Sequence, residues 1–328
     1  MGYGLATICL FWVLHDFHIV RELRNLANVS WEWVLLGMAC DVASYGIQAL
    51  RWKFLLAPFG RVRLGRSIRA VFAGLFANLV FPLRPGEVLR SYLLANSEEI
   101  SIGRVLGAVG VERFIDLVIA TAALAMVSLY MNLPRQDQRV ADLLAYITLF
   151  LLFLVGLLIL YIEIRLTKNV PVDGKKAHLP GKFMAVLTDL HAIGTSPSFY
   201  AAVLTSLAMP FCQVLGLWAV MRAYGLTMPA TGAPFSILSA VVVLLIINLG
   251  VSLPNAPANI GSYQFFCVLA VNQIFQVEKT RATGFSIFAF LALTIPLAFL
   301  GFAALLRSGM SFGSMRAKVK GLPSRPRV

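Results

Sequence analysis

Asn78-Leu79-Val80-Phe81-Pro82-Leu83-Arg84-Pro85-Gly86-Glu87 decides the fold, because it places a Pro-x-x-Pro and a glycine inside an apolar stretch spanning roughly residues 66–97. Each proline removes a backbone donor and ends the helix before it. In a bilayer such broken backbone survives only where protein buries it or where it lines a wet cavity. A second stretch, about 234–277, repeats the pattern. Asn248-Leu249 is followed by Pro254-Asn255-Ala256-Pro257 and then by Gly261.

The chain around these breaks is built for lipid. It has 328 residues, 59% of them hydrophobic and only 13% charged, with a mean hydropathy of +0.80. An ordinary soluble domain carries roughly 25% charged residues. A spanning helix needs about 20 mostly apolar residues, and six stretches suit that role: 2–20, 31–50, 110–131, 143–164, 198–222 and 281–306. In the first of these the clean apolar run, Gly2 to Leu14, is short of a full span before His15 and Asp16, which fits a tilted or partly interfacial helix. No basic residue precedes that run, which argues against a cleavable signal peptide.

The net charge of +13 sits at the ends of apolar runs, so it reads as topology-setting charge and argues against a nucleic-acid partner. Arg51, Lys53, Arg61, Arg63, Arg66 and Arg69 form a basic segment without acids, and Arg307, Arg316, Lys318, Lys320, Arg325 and Arg327 form another. Arg165, Lys168, Lys175, Lys176 and Lys182 add a third cluster. All three fall on one side only if both broken segments enter and leave by one face. The expectation is therefore six crossings, both termini in the cytoplasm and an inner (plasma) membrane location. The four cysteines and four histidines show no disulfide or metal spacing, and neither a metal nor a cofactor is expected.

Shifting the first half by the 172 positions between Pro85 and Pro257 lays 31–50 on 203–222 and 110–131 on 282–303. Three crossings per half turn the second copy upside down. The expected fold class is an all-α integral membrane bundle with two inverted repeats, each with a broken, re-entrant helix pair. Repeat one covers about 1–131 and repeat two about 143–306. Together they form a transmembrane domain over 1–310, with a basic cytoplasmic tail at 311–328. Such repeats with discontinuous helices are the layout of many alternating-access transporters, whose substrate sites lie at the breaks.

Candidate site residues gather there. The helix-break set is Pro82, Pro85, Gly86, Pro254, Pro257 and Gly261, and helices starting near Gly86 and Gly261 would turn unpaired N–H groups toward a phosphate. Arg84, Glu87 and Arg90 flank the first break, and Glu112, Arg113 and Asp116 open the next span. Charges at the bilayer centre cost on the order of 2.5–3.5 kcal/mol each on insertion scales, so these six belong inside the bundle. They can form a closed neutral network, and an arginine left partly free can grip a lipid phosphate in two-pronged fashion. Asn78, Asn255, Asn259 and Gln264 complete a polar, uncharged lining.

Arg51-Trp52-Lys53, NLVFPLRPGEVLR at 78–90, VERFID at 111–116 and PNAPANIGSYQ at 254–264 resemble, in order and spacing, the flippase-like transmembrane domain of the lysylphosphatidylglycerol synthase family. The resemblance covers nearly the whole chain. It implies movement or handling of a phospholipid or polyprenyl-linked lipid, with membrane lipids as partners. Members with an aminoacyl-transferase domain carry it after the membrane part. Only a basic tail of about 20 residues follows the last span here, so no lysyl transfer is assigned and lipid synthesis is left to a separate biosynthetic enzyme. Two rival readings stand beside this one. A membrane-embedded head-group transferase would want clustered carboxylates for Mg²⁺, and neither a DxD nor a catalytic motif occurs. An ion-coupled transporter of a small solute is compatible with the inverted repeat.

Overall fold

The computed structural model describes residues 2–15, 29–82, 84–130, 189, 191–252 and 256–308. The expected span 143–164, the basic loop 165–182, Pro254, Asn255 and the tail 311–328 lie outside the described residues. All named elements among the described residues are helices, apart from one isolated bridge between Thr227 and Pro234. In chain order they are α1 (Gly2–Leu14), α2 (Trp31–Leu55), α3 (Leu64–Val80), α4 (Gly86–Glu98), α5 (Ile102–Tyr130), α6 (Ser198–Ala223), α7 (Ile237–Ser252), α8 (Ser262–Val268) and α9 (Lys279–Arg307). A π-helical turn, Leu269–Ile274, extends α8.

Three of these, α2, α6 and α9, are long and apolar enough to cross a membrane. Their outer faces present Leu35, Tyr200, Leu204, Phe211, Phe299 and Leu306 outward. Such continuous apolar surface is intolerable in water and ordinary against acyl chains.

The long helices α2 and α6 pack antiparallel along their whole length. The Ser30 N–H, at the start of α2, donates to the Ala223 carbonyl, at the end of α6, at 3.2 Å. Arg51 Nη1, at the other end of α2, donates to Ser206 Oγ at 3.3 Å. Between them Gly37 faces Gly216 and Val220 so closely that a β-carbon on Gly37 would stand 2.9 Å from the Gly216 carbonyl oxygen. Small residues of this kind are what allow two helix backbones to approach in lipid.

Each long helix is followed by a hairpin. After α2, helices α3 and α4 run down and back: the Arg63 N–H donates to Glu98 Oε1 at 2.9 Å across the mouth, and Ser67 Oγ donates to the Ala49 carbonyl at 2.7 Å. After α6, α7 and α8 do likewise, with the rings of Phe235 and Phe275 5.0 Å apart at that mouth. Since α2 and α6 are antiparallel, the hairpins open at opposite ends of the bundle.

The breaks obey proline. Phe81 takes extended backbone ahead of Pro82, as the following ring demands, and Arg84 reverses the chain in the left-handed region with φ 54. At the second break Ala258 and Asn259 are left-handed at φ 55 and 56, and Gly261 stands at φ 88. A β-carbon on Gly261 would also fall 2.5 Å from the Ala6 carbonyl, so glycine is required there for conformation and for the docking of α1. From that tip α1 runs toward the start of α9, where Thr283 Oγ1 donates to the Val13 carbonyl at 3.4 Å.

Order and length recur between the halves. Moved by 172 positions, α3 falls on 236–252, against Ile237–Ser252 for α7. Each half also has its own buried cluster: Trp52, Leu55, Leu94 and Val105 in the first, and Leu217, Phe235, Val271 and Phe285 in the second.

Candidate functional site

Glu112 is the hub of the site. It projects from α5 with no exposed surface, and its carboxylate accepts from four side chains. Oε1 takes Gln48 Nε2 at 2.9 Å and Arg51 Nη2, and Oε2 takes Trp52 Nε1 at 2.6 Å and Arg90 Nη2 at 3.2 Å. The Arg90 guanidinium also lies over the Trp52 ring, 4.6 Å from its centroid. Gln48, Arg51 and Trp52 are three and four residues apart, so one face of α2 delivers all three donors.

The chain of charges continues outward. Arg51 Nη1 donates to Asp116 Oδ1 at 2.6 Å, Arg113 Nη1 lies 3.6 Å from Asp116 Oδ2, and Arg113 Nη2 pairs with Glu87. The first links are sealed from solvent, whereas Arg113 and Glu87 are about half exposed. Breaking such a buried pair by removing one partner is costly, because the other charge stays in low dielectric. The network ties α4 to α5 and both to α2, and so fixes the first hairpin in place. Among the described residues its hydrogen bonding is not complete, since Arg51 Nε and Arg90 Nε are buried and find no partner there.

Five of the six expected charged residues are thus brought together, joined by a sixth that the sequence reading assigned to the cytoplasmic charge pattern. Arg51 is fully buried, because α2 runs to Leu55, past the expected end at 50. With Arg51 the connected set has three cations and three anions, and is neutral. Arg84 stands apart at the hairpin tip. It is exposed and, among the described residues, makes no hydrogen bond or salt bridge, though Glu87, Arg113 and Tyr45 lie within electrostatic range.

The polar backbone at the breaks differs from expectation. The Gly86 N–H, expected to face a phosphate, donates to Asn78 Oδ1 at 2.7 Å. The Gly261 N–H likewise donates to Gln264 Oε1 at 2.8 Å. A side-chain amide therefore satisfies each helix start, which stabilises the tips and removes those two donors from ligand binding. Asn259, Pro257 and Pro82 sit half-buried at the two tips.

Two open cavities flank this core and differ in chemistry. One, of about 640 Å³, lies where the first hairpin opens and is lined by Arg63, Arg66, Arg69 and Arg307 beside Gly65 and Ile68. The other, of about 530 Å³, lies between α1 and the second tip, lined by Leu10, Phe11, Leu14, Ala256, Pro257 and Ile260 among others.

A UPF0104 membrane protein of Methanothermobacter thermautotrophicus is 24% identical to the chain over 254 residues, covering 74% of each protein. The family model described as the lysylphosphatidylglycerol synthase TM region matches residues 1–301, which include both hairpins and every charged residue of the network. The chain is a membrane protein that belongs to the lysylphosphatidylglycerol synthase TM region family.

Proposed function

We propose that the protein translocates an anionic lipid, a phospholipid or a polyprenyl-linked lipid, between the leaflets of the inner membrane. The observation that carries this reading is the surplus cation at the first tip. The network balances its own charge without Arg84, so the guanidinium at the hairpin turn is left to meet an anion from outside the protein. Arginine suits a phosphate because its planar fork presents parallel donors. Arg90, the other candidate, is buried and occupied by Glu112 and Trp52.

The two halves act as inverted repeats, with each hairpin re-entrant from its own face of the membrane. The antiparallel α2 and α6, the opposite mouths and the recurring element lengths support that arrangement. The arginine-lined mouth of the first hairpin is the cytoplasmic side by the positive-inside rule, which brings the end of α9 and the start of α1 to that side as well. Translocation needs no covalent step, and a partner enzyme makes the lipid.

The test is reconstitution in liposomes with fluorescent phosphatidylglycerol. Arg84→Gln is expected to lose most lipid movement while its thermal midpoint stays within about 0.5 kcal/mol equivalent of wild type, as for an exposed site. Arg84→Lys keeps part of the rate if charge dominates and little if the fork does. Wild-type rates in Arg84→Gln sink the reading. A protein that moves a small solute but no lipid favours the transporter alternative.

A further inference from the structure

Among the described residues, one buried carboxylate stands outside the charge network. Asp41 is the eleventh residue of the 25-residue α2, about 15 Å along a helix of about 37 Å at 1.5 Å per residue, and is only 8% exposed. Its main-chain carbonyl accepts from Ser44 Oγ at 2.7 Å, but its carboxylate has no hydrogen bond or salt bridge among the described residues. The helices around it supply no cation at that depth. On α6 the charged residue is Arg222, held over Trp33 and Trp218 near the start of α2. On α3 the charges are Arg66 and Arg69, at the hairpin mouth, and on α9 they are Lys279, Arg281 and Arg307, at its two ends. The helices α1 and α8 carry none.

The groups within electrostatic range of Asp41 are weak acids, Cys40 and Tyr45 on its own helix and Tyr263 on α8, with Cys212 of α6 in turn within range of Cys40. Tyr45 in turn lies within electrostatic range of Arg84. The position is also special in the fold. Asp41 is one turn from Gly37, and its own N–H lies at the Gly216 contact, where the backbones of the long helices of the two halves approach each other.

An unpaired carboxylate at membrane depth is far less costly as the neutral acid. Tyr45, within electrostatic range of both groups, links Arg84 to the buried Asp41, so a phosphate arriving at Arg84 adds negative charge beside that set and favours proton uptake by the carboxylate. By reciprocity, a proton on the carboxylate favours the phosphate equally. We propose that Asp41 binds one proton with each lipid phosphate and releases it with the lipid, which makes the protein a proton–lipid symporter. In the step, a hydronium ion on the loading side gives its proton to the Asp41 carboxylate, one of its O–H bonds breaking as the carboxyl O–H bond forms. That bond breaks to water on the other side as the phosphate leaves Arg84, and nothing else is made or broken. The inference rests on the lipid reading above.

The experiment uses the full chain in liposomes of phosphatidylglycerol and phosphatidylcholine with labelled phosphatidylglycerol, under an imposed pH gradient of either sign. Wild type is expected to accumulate the label in the leaflet on the alkaline side, approaching about tenfold per pH unit at one proton per lipid. A potassium diffusion potential leaves that ratio unchanged, since one proton on one singly charged lipid is neutral. Asp41→Asn loses the accumulation and Asp41→Glu keeps it. Lipid that moves but stays evenly distributed under both gradients overturns the coupling and leaves lipid movement intact. No lipid movement at all overturns both. Accumulation that persists in Asp41→Asn places the proton elsewhere and overturns the assignment. If Asp41→Asn does not fold, infrared titration of wild type decides. A protonated-carboxyl band must grow as pH falls, respond to added phosphatidylglycerol and shift in Asp41→Glu, and its absence sinks the proposal.

Discussion

The two halves of the bundle place a long helix, a hairpin and a second long helix in the same order, yet hold them together by opposite chemistry. In the first half Arg51, Trp52, Arg90, Glu112, Arg113 and Asp116 form a network of charge. At the positions 172 further on stand Ala223, Tyr224, Ser262, Gly284, Phe285 and Phe288. There the Tyr224 ring meets Phe285 at 5.7 Å and Phe288 at 5.6 Å, so an aromatic cluster occupies the place of the ion pairs. Lipid tails are as apolar as leucine, so helices in a bilayer gain little from burying apolar surface against one another and associate through close packing or polar bonds. One half relies on each of these. The ionic half fixes geometry tightly and tolerates substitution badly, whereas the aromatic half can repack around a loss.

That contrast can be broken at its strongest point first. Glu112→Ala strands the buried Arg90 and leaves Arg51 with Asp116 alone, and is expected to lose about 3–5 kcal/mol, read as a fall in the thermal midpoint in detergent. Unchanged melting means the guanidiniums reach water and the network is ornamental. In the aromatic half Phe285→Ala is expected to lose about 3 kcal/mol by cavity formation. The conservative changes sharpen the difference: Phe285→Leu loses about 1 kcal/mol, but Glu112→Gln stays severe, because Arg90 is then buried without an anion and Arg51 keeps only Asp116. Similar penalties for the two conservative variants count against the division of labour. The smallest effect is at the tips. Asn78→Ala and Gln264→Ala each free one backbone N–H and are expected to lower stability by about 1–2 kcal/mol, equally in both halves. Unequal losses mean that the second amide does a different job.

Much of this architecture is legible in the sequence. Proline and glycine spacing locates both hairpins to within a few residues, since a helix cannot pass through Pro-x-x-Pro whatever surrounds it. Hydropathy is a poorer guide to where helices end. Arg51-Trp52-Lys53 reads as a span terminus, yet Gln48, Arg51, Trp52 and Leu55 keep helical spacing, and that periodic polar face was the available signal for a buried donor row. Hydropathy sets the third span at 110–131, whereas α5 starts at Ile102, because a helix projecting beyond the apolar layer leaves no mark in hydropathy. There Arg104 Nε reaches Asp189 at 3.2 Å. Local periodicity likewise assigns Glu87 and Arg90 to one face, but whether they pair is settled by a partner 26 residues away, and Glu87 goes to Arg113.

The charge network also bears on the order of synthesis. Its members run from Gln48 to Asp116, so every strong pairing is made within the first half of the chain. Ser206, on α6, is the late arrival, contributing a single long bond to Arg51. Chains fold from the N-terminal side as they emerge from the ribosome, and unpaired charges are costly to leave in the bilayer. Arg51, Arg90, Glu112 and Asp116 can therefore neutralise one another while the second half is still being made, and α6 docks against a neighbour whose charges are already paired.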